Sequence, residues 1–251
     1  RPEVARVLKE EREVGNDRPE PQCLQEHVKA LQKMLEEETY QPPEHKKMLI
    51  NEYSCGKVRE IIKPEFQYEQ VVHHCIIKQL QPIVLHGLYE HALGSIPNRG
   101  CHSGKKQVEK WIKGYKGKKF YILKADVRHC FDTEDIHVIE EKLKHVIKDE
   151  KFVRLCCTVM EHEATLKPPE FDDRWIKDEQ WQDAEFLSGL PLGFVTSQWF
   201  TQLNFKTFDH KFIEDWKELG GVDHYIRYAD DIVATGRNKK KLHRLEETME
   251  A

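Results

Sequence analysis

Three carboxylates have the type and spacing that divalent-metal chemistry requires. Asp126 closes the apolar run from Phe120 to Ala125, and Asp230 and Asp231 lie between two apolar half-strands, Tyr225 to Tyr228 and Ile232 to Val233. Hard cations such as Mg2+ take oxygen ligands, commonly one or two carboxylates together with substrate phosphates. In a two-metal site the ions stand ~3.5 to 4 Å apart, one activating an attacking hydroxyl and the other stabilising a leaving pyrophosphate. Two acidic strand ends on adjacent strands supply such a pair. An Asp-Asp pair in a tight turn also serves simply to cap a hairpin, so the dipeptide alone leaves both readings open. His73 and His74 do not form a comparable pair: adjacent helical positions point about 100° apart, which favours packing over a shared ion.

The elements that must position these groups follow from period and punctuation. Leu24, Val28, Leu31 and Leu35 recur at helical spacing before Pro42 and Pro43 end the run. Lys46 to Ile50 and Lys57 to Ile62 read as a hairpin turning through Tyr53 to Gly56. Val72, Ile76, Leu80 and Ile83 predict a second helix, followed by a Gly/Pro/Asn-rich loop from Gly94 to Gly104. The clearest strand is Phe120 to Ala125. After it, Asp132 to Asp135 offer N-cap chemistry to a helix with Ile136, Ile139, Leu143 and Val146 on its apolar side. A turn at Gly189 to Gly193 precedes a helix from Thr196, bearing Trp199, Phe200, Leu203, Phe208 and Phe212. Strands at His224 to Tyr228 and Ile232 to Thr235 then flank the Asp-Asp pair, and a last helix spans Lys239 to Glu250. This order lacks regular βαβ alternation. It predicts an α+β fold, a mostly antiparallel sheet with helices on one face.

Composition narrows the class. The 251 residues suffice for one large domain or two small ones, and 11 Phe, 8 Tyr and 5 Trp can build a core despite 33% charged residues. No run approaches the ~18 to 20 apolar residues of a membrane span, so the expectation is a soluble, cytoplasmic protein without a membrane partner. Seven cysteines without C-x-x-C spacing argue against a disulfide framework or a zinc knuckle. The net charge of −4 does not announce a nucleic-acid binder, but it averages two opposed segments. From Arg99 to Arg128 ten basic residues face two acidic ones; from Glu161 to Glu185 nine acidic residues face three basic ones. The basic run is interleaved with Trp111, Tyr115, Phe120 and Tyr121, which suits phosphate neutralisation, although a charge run is also the ordinary dress of a solvated helix face.

Taken in order, Asp126-Val127-Arg128-His129-Cys130-Phe131, Gly189-Leu190-Pro191-Leu192-Gly193 through Gln198, and Tyr225 through Asp231 resemble motifs A, B and C of the reverse transcriptases. Lys57 to Ile62, Val71 to His74 and Gly94 to Gly100 resemble the upstream segments of prokaryotic retroelement enzymes. The resemblance runs from about residue 24 to the end. It implies a right-hand polymerase architecture: an N-terminal helical segment over 1–50, fingers over 51–118 and a palm over 119–251. The palm would carry an acidic insertion at 161–186, and the thumb would be absent. It implies that Asp126, Asp230 and Asp231 bind catalytic Mg2+, with Mn2+ as an alternative, and that the Val127 carbonyl is a further ligand. Lys57 and Arg59 would clamp the triphosphate, Phe131 would act as a steric gate against a 2′-hydroxyl, and Leu192 and Gly193 would border the incoming nucleotide. Arg99, Lys105 and Lys106 would contact template.

The implied partners are template RNA, a primer and deoxynucleoside triphosphates. Most family members carry Gln between the Pro and Gly of motif B, whereas this chain has Leu192, and Ser197 is followed by Gln198. That pattern resembles the diversity-generating retroelement enzymes, which copy RNA with errors at adenines and work with a basic accessory protein. Glu69-Gln70, the form of the 94–104 loop and the acidic stretch depart from that subgroup. They leave open a bacterial or phage-encoded defence or prophage enzyme, with Leu192 speaking against a group II intron relative, or a polymerase-like protein that binds RNA or a partner without catalysis.

Overall fold

The computed structural model describes residues 21–52, 57–65, 68–164 and 187–250. The expected turn at Tyr53 to Gly56 and most of the acidic stretch, residues 165–186, lie outside the described residues. In chain order the elements are α1 (Pro21–Glu36), β1 (Lys47–Glu52), β2 (Lys57–Ile62), α2 (Glu69–Leu85), β3 (Ala92–Leu93), α3 (Cys101–Gly114), β4 (Tyr121–Asp126), α4 (Ile136–Val146), α5 (Glu150–Glu161), α6 (Val195–Leu219), β5 (His224–Tyr228), β6 (Asp231–Gly236) and α7 (Lys239–Glu250). Among the described residues no helix is long and apolar enough to cross a membrane.

Local chemistry sets several boundaries. Asp135, the last of the four expected capping residues, accepts the N–H groups of His137 (2.8 Å) and Val138 (3.3 Å) at the start of α4. Asp149 does the same for α5 with Lys151 and Phe152, and Asn238 for α7 with Lys240 and Lys241. Each cap satisfies donors that the first turn of a helix leaves without an intrahelical partner. On α4, Ile136, Ile139 and Leu143 are buried as the spacing predicts, but Val146 is exposed and Ile147, just beyond the helix, is buried in its place.

The chain forms two compact units, each assembled from two stretches. The first comprises Arg1–Ile83 and Phe131–Phe200. Its two-stranded antiparallel ribbon pairs Lys47 with Ile62 through to Glu52 with Lys57. The ribbon leaves Leu49 and Val58 largely in solvent, and its base is anchored where the Ile62 N–H donates to the Leu192 carbonyl at 2.8 Å.

The second unit comprises Val84–Cys130 and Thr201–Ala251 and holds a four-stranded sheet in the order β3-β5-β6-β4. β5 and β6 form the expected antiparallel hairpin, β4 pairs antiparallel with β6, and the short β3 runs parallel to β5. One sheet face carries Leu123, Tyr225, Ile232 and Ala234 and packs against Phe212 of α6 and Leu242 and Leu245 of α7. The expectation of helices on one face is corrected here. On the opposite face, Leu93 and Ile226 pack against Trp111 of α3, and the Trp111 ring stacks on His224 at 4.6 Å. Tyr225, Ile226 and Arg227 are therefore buried in succession, which requires cover on both sides of a strand whose side chains alternate. α3 covers only the β5 side of that second face, and Ile122 and Lys124 on β4 remain exposed.

Candidate active site

The open part of this second face ends in the carboxylates. Asp126 is the last residue of β4 and is the direct cross-strand partner of Asp231, the first of β6, with Tyr228 of β5 completing the row. Directly opposed residues hold their Cβ atoms about 4.5 to 5.5 Å apart, and like charges so placed repel. Asp126 is exposed and Asp231 half-buried. Lys124, two residues before Asp126 on the same face, offsets part of the repulsion, with its Nζ 3.2 Å from Asp231 Oδ1. The three carboxylates do not close to within 4.8 Å of one another. The donor set nevertheless fits a hard cation: solvent-facing oxygen ligands, two of them opposed across a strand pair, with no soft ligand identified among them.

Asp230 lies in the β5–β6 turn, which is held from three directions. Ala229 adopts a left-handed conformation (φ 52°), and its N–H donates to the Leu93 carbonyl at 3.0 Å. Its own carbonyl accepts Arg227 Nη1 at 2.8 Å, and the Asp230 carbonyl accepts the Val127 N–H at 3.2 Å. Gly94 makes room for this turn, since a Cβ there would stand 2.9 Å from the Ala229 nitrogen.

Behind the turn sits a buried network. Arg227 is 0% exposed and meets Asp209 of α6 in a two-pronged pair, Nε to Oδ1 at 2.9 Å and Nη2 to Oδ2 at 2.7 Å. Nη2 also donates to Gln202 Oε1 at 3.0 Å, and the guanidinium lies over the Phe205 ring, 4.6 Å from its centroid. The Gln202 amide donates in turn to the carbonyls of Leu93 and Gly94, and the Tyr225 hydroxyl donates to Asp209 Oδ1 at 2.6 Å. Burial opposes the Arg227 charge, but the bonds to Asp209 and its charge outweigh that and hold the pKa above its ordinary value. Burial, then the Asp209 charge and hydrogen bond, push the Tyr225 hydroxyl well above the usual phenol range. Arg227 therefore buttresses the hairpin from inside the unit. The sequence signal for Asp209 and Gln202 is faint: Gln202, Phe205 and Asp209 recur at i, i+3 and i+7 on one face of α6.

The other expected site residues divide between the units. In the second, Val127 is half-buried with its N–H committed to the turn. Arg99 is turned toward its own loop, with Nη1 donating to the Tyr89 carbonyl at 2.9 Å, whereas Lys105 and Lys106 are exposed on α3. In the first, Arg59 is exposed on β2 and Phe131 is half-buried in the turn before α4, with its carbonyl accepting the Leu190 N–H at 2.7 Å. The backbone of Lys57 pairs with Glu52, and its side chain lies outside the described residues. Leu192 is half-buried, and Gly193 lies against the backbone of β2: at φ 117°, a Cβ would sit 2.2 Å from the Ile62 carbonyl oxygen, so no other residue fits. His73 is buried, with Nδ1 2.7 Å from Thr196 Oγ1, in keeping with the packing role expected for it.

The family described as reverse transcriptase (RNA-dependent DNA polymerase) matches residues 43–251. Group II intron-encoded protein LtrA of Lactococcus lactis subsp. cremoris is 23% identical over 178 residues, which cover 69% of this chain and 26% of LtrA. Nuclear intron maturase 1, mitochondrial, of Arabidopsis thaliana is 31% identical over 105 residues, 41% of this chain and 14% of the maturase. The chain thus spans about a quarter or less of the length of these relatives. Among solved structures, telomerase from Candida albicans in complex with a fragment of telomeric RNA superposes with a TM-score of 0.58 at 12% identity, covering 86% of this chain and 41% of telomerase. A partial Cas6-RT-Cas1–Cas2 complex gives 0.51 at 15% identity, covering 98% of this chain and 39% of the matched chain. At such identities the likeness is one of fold.

Proposed function

The chain belongs to the reverse transcriptase (RNA-dependent DNA polymerase) family, and on that premise we propose that it extends a primer on an RNA template, using deoxynucleoside triphosphates and Mg2+ held by Asp126, Asp230 and Asp231. The observation that carries this reading is the opposition of Asp126 and Asp231 on the open part of the sheet, beside the braced turn that bears Asp230. Bound at these carboxylates, divalent ions supply activation of the primer hydroxyl and neutralise charge on the leaving pyrophosphate. The Val127 carbonyl is a further candidate ligand. Arg59, with Lys57, clamps the triphosphate from β2, because a guanidinium presents paired N–H donors that match phosphate oxygens.

Phe131 turns away ribonucleotides, and Leu192 and Gly193 border the incoming nucleotide. Lys105 and Lys106 hold template phosphates through salt-sensitive attraction, while Arg99 serves by shaping the loop before α3. In this reading the four-stranded sheet belongs to the palm and the β1–β2 ribbon to the fingers. Incubation with an RNA template, a DNA primer, deoxynucleoside triphosphates and Mg2+ is expected to give extension products that EDTA abolishes. A protein that only holds RNA or a partner would retain the primer–template and yield none.

Within the family, the reading extends to the error-prone, diversity-generating type, assisted by a basic accessory protein. Leu192 supports it: an aliphatic side chain offers no hydrogen bond where most family members place Gln, which loosens selection of the base pair. Leu192→Gln is expected to lower misincorporation opposite template adenines, read by sequencing products from an adenine-rich RNA. An unchanged error spectrum would favour a defence or prophage enzyme instead.

A further inference from the structure

A second cluster of metal-ligating groups lies in the first unit and takes no part in the proposed chemistry. His45, on the connector between α1 and β1, has its side chain 2% exposed and both ring nitrogens facing carboxylates. Nε2 is 2.5 Å from Glu69 Oε1, and Nδ1 is 2.6 Å from Glu163 Oε1. Glu69 is fully buried in the first turn of α2, and its second oxygen accepts the Glu65 N–H at 2.7 Å. His162, in the turn after α5, meets the His45 ring edge-on at 5.3 Å. Its Nε2 stands 3.0 Å from the Pro43 carbonyl oxygen and 3.8 Å from Glu163 Oε1. His45 Nδ1, His162 Nε2 and Glu163 Oε1 all lie within 4.8 Å of one another.

An ionised carboxylate only accepts hydrogen bonds, and a neutral imidazole carries one donor and one acceptor nitrogen. When His45 donates Nε2–H to the buried Glu69, its Nδ1 lone pair confronts the Glu163 oxygen across 2.6 Å, and two acceptors at that distance require a cation between them. A proton on Nδ1 would meet that need alone. A metal ion meets it too, and would draw on two further ligands beside it, His162 Nε2 and the Pro43 carbonyl oxygen, in place of the 3.0 Å hydrogen bond between them. An imidazole that ligates through one nitrogen and donates the other N–H to a carboxylate is the usual arrangement of a metal-bound histidine. Two imidazoles with one carboxylate select a borderline ion such as Zn2+ over Mg2+, which prefers oxygen alone.

The other convergent group among the described residues, Glu140, Cys157 and Glu161, is a poorer candidate. Burial, then the neighbouring carboxylates, push the Cys157 thiol up to about 12, away from the thiolate a metal needs.

We propose that His45 Nδ1, His162 Nε2 and Glu163 bind a structural Zn2+, with Glu69 orienting His45 and the Pro43 carbonyl or water completing the coordination. The ion ties the α1–β1 connector and the end of α5 to the start of α2. The test uses the untagged chain, stripped with a chelator, then titrated with Co2+ to read tetrahedral d–d absorption and with Zn2+ against a chromophoric competitor. One Zn2+ per chain is expected, with a rise in melting temperature that Mg2+ does not reproduce.

His162→Ala, an exposed position, should abolish both the Co2+ band and the thermal shift, and Glu163→Gln should weaken binding. Glu69→Gln should lower affinity by roughly 10 to 100-fold, the usual effect of losing an outer partner. Asp126→Asn should leave the stoichiometry unchanged, which separates this site from the carboxylates of the other unit. Absence of the Co2+ band in the unaltered chain, or Zn2+ affinity in His162→Ala equal to that of the unaltered chain, would overturn the proposal.

Discussion

Replacing Asp126 with Asn is expected to abolish primer extension while leaving the chain folded and slightly more stable. Metal-bound stabilisation of transition-state charge is worth several kcal/mol, which converts to a loss on the order of 10³-fold or more in the single-turnover rate. Stability should move the other way. Asp126 faces Asp231 directly across the β4–β6 pair, and like charges so opposed destabilise a sheet by roughly 0.2 to 1 kcal/mol. Asp231→Asn should show the same kinetic loss with a smaller stability gain. It removes the repulsion but also the exposed Lys124 ion pair, itself worth about 0 to 1 kcal/mol. Single-turnover extension and thermal melts on the same preparations decide the matter. Extension within tenfold of the unaltered chain in both variants would mean that these carboxylates do not carry the chemistry. A lowered melting temperature would mean that they hold the hairpin together.

The second large effect concerns stability and lies behind the turn. Arg227→Met should destabilise the protein by about 3 to 5 kcal/mol, because Asp209 is left buried and charged with Tyr225 as its remaining partner. Asp209→Leu should cost a similar amount by stranding the Arg227 guanidinium. The double variant is expected to recover much of either loss, since a buried ion pair exchanged for apolar side chains of similar volume is often neutral or stabilising. Recovery should stop short of completeness. The Tyr225 hydroxyl and Gln202 Oε1 would each lose a buried partner, at about 1 to 3 kcal/mol apiece. Urea unfolding of the two single variants and the double one closes the cycle, and additive losses would show that the pair is not coupled. The double variant also separates scaffold from chemistry. With no donor left for the Ala229 carbonyl, the turn bearing Asp230 loses one of its three restraints, so extension should stay depressed after stability has returned.

Period and punctuation were legible because near neighbours decide them. The apolar run ending in Asp126, the hairpin around Asp230 and Asp231, and the cap at Asp135 are all local chemistry, and all stand where the sequence predicts them. α5 is equally open to such a reading, with Asp149 as its cap and Val153, Cys156, Cys157 and Met160 at helical spacing, although the acidic stretch that follows obscures its end. Glu161 completes that helix and Glu163 reaches His45, so the first residues of the stretch belong with α5 and the α1–β1 connector.

What the sequence by itself determined, then, was which residues sit on strands, which in turns, and that Asp126 could face the Asp-Asp pair, because strand alternation and turn chemistry act over a few residues. Only the tertiary structure decided what those residues meet. The sequence leaves Arg227 between bracing the hairpin and touching a primer strand, until Asp209, 18 positions earlier, receives it in the core. Gly193 reads as a turn glycine until the Ile62 carbonyl is found where its Cβ would be, and His45 reads as a lone histidine until Glu163, 118 positions away, closes on its ring. Burial forces each of these pairings: a polar group removed from water must find a partner, and the partner is whatever the packing of distant elements brings within reach.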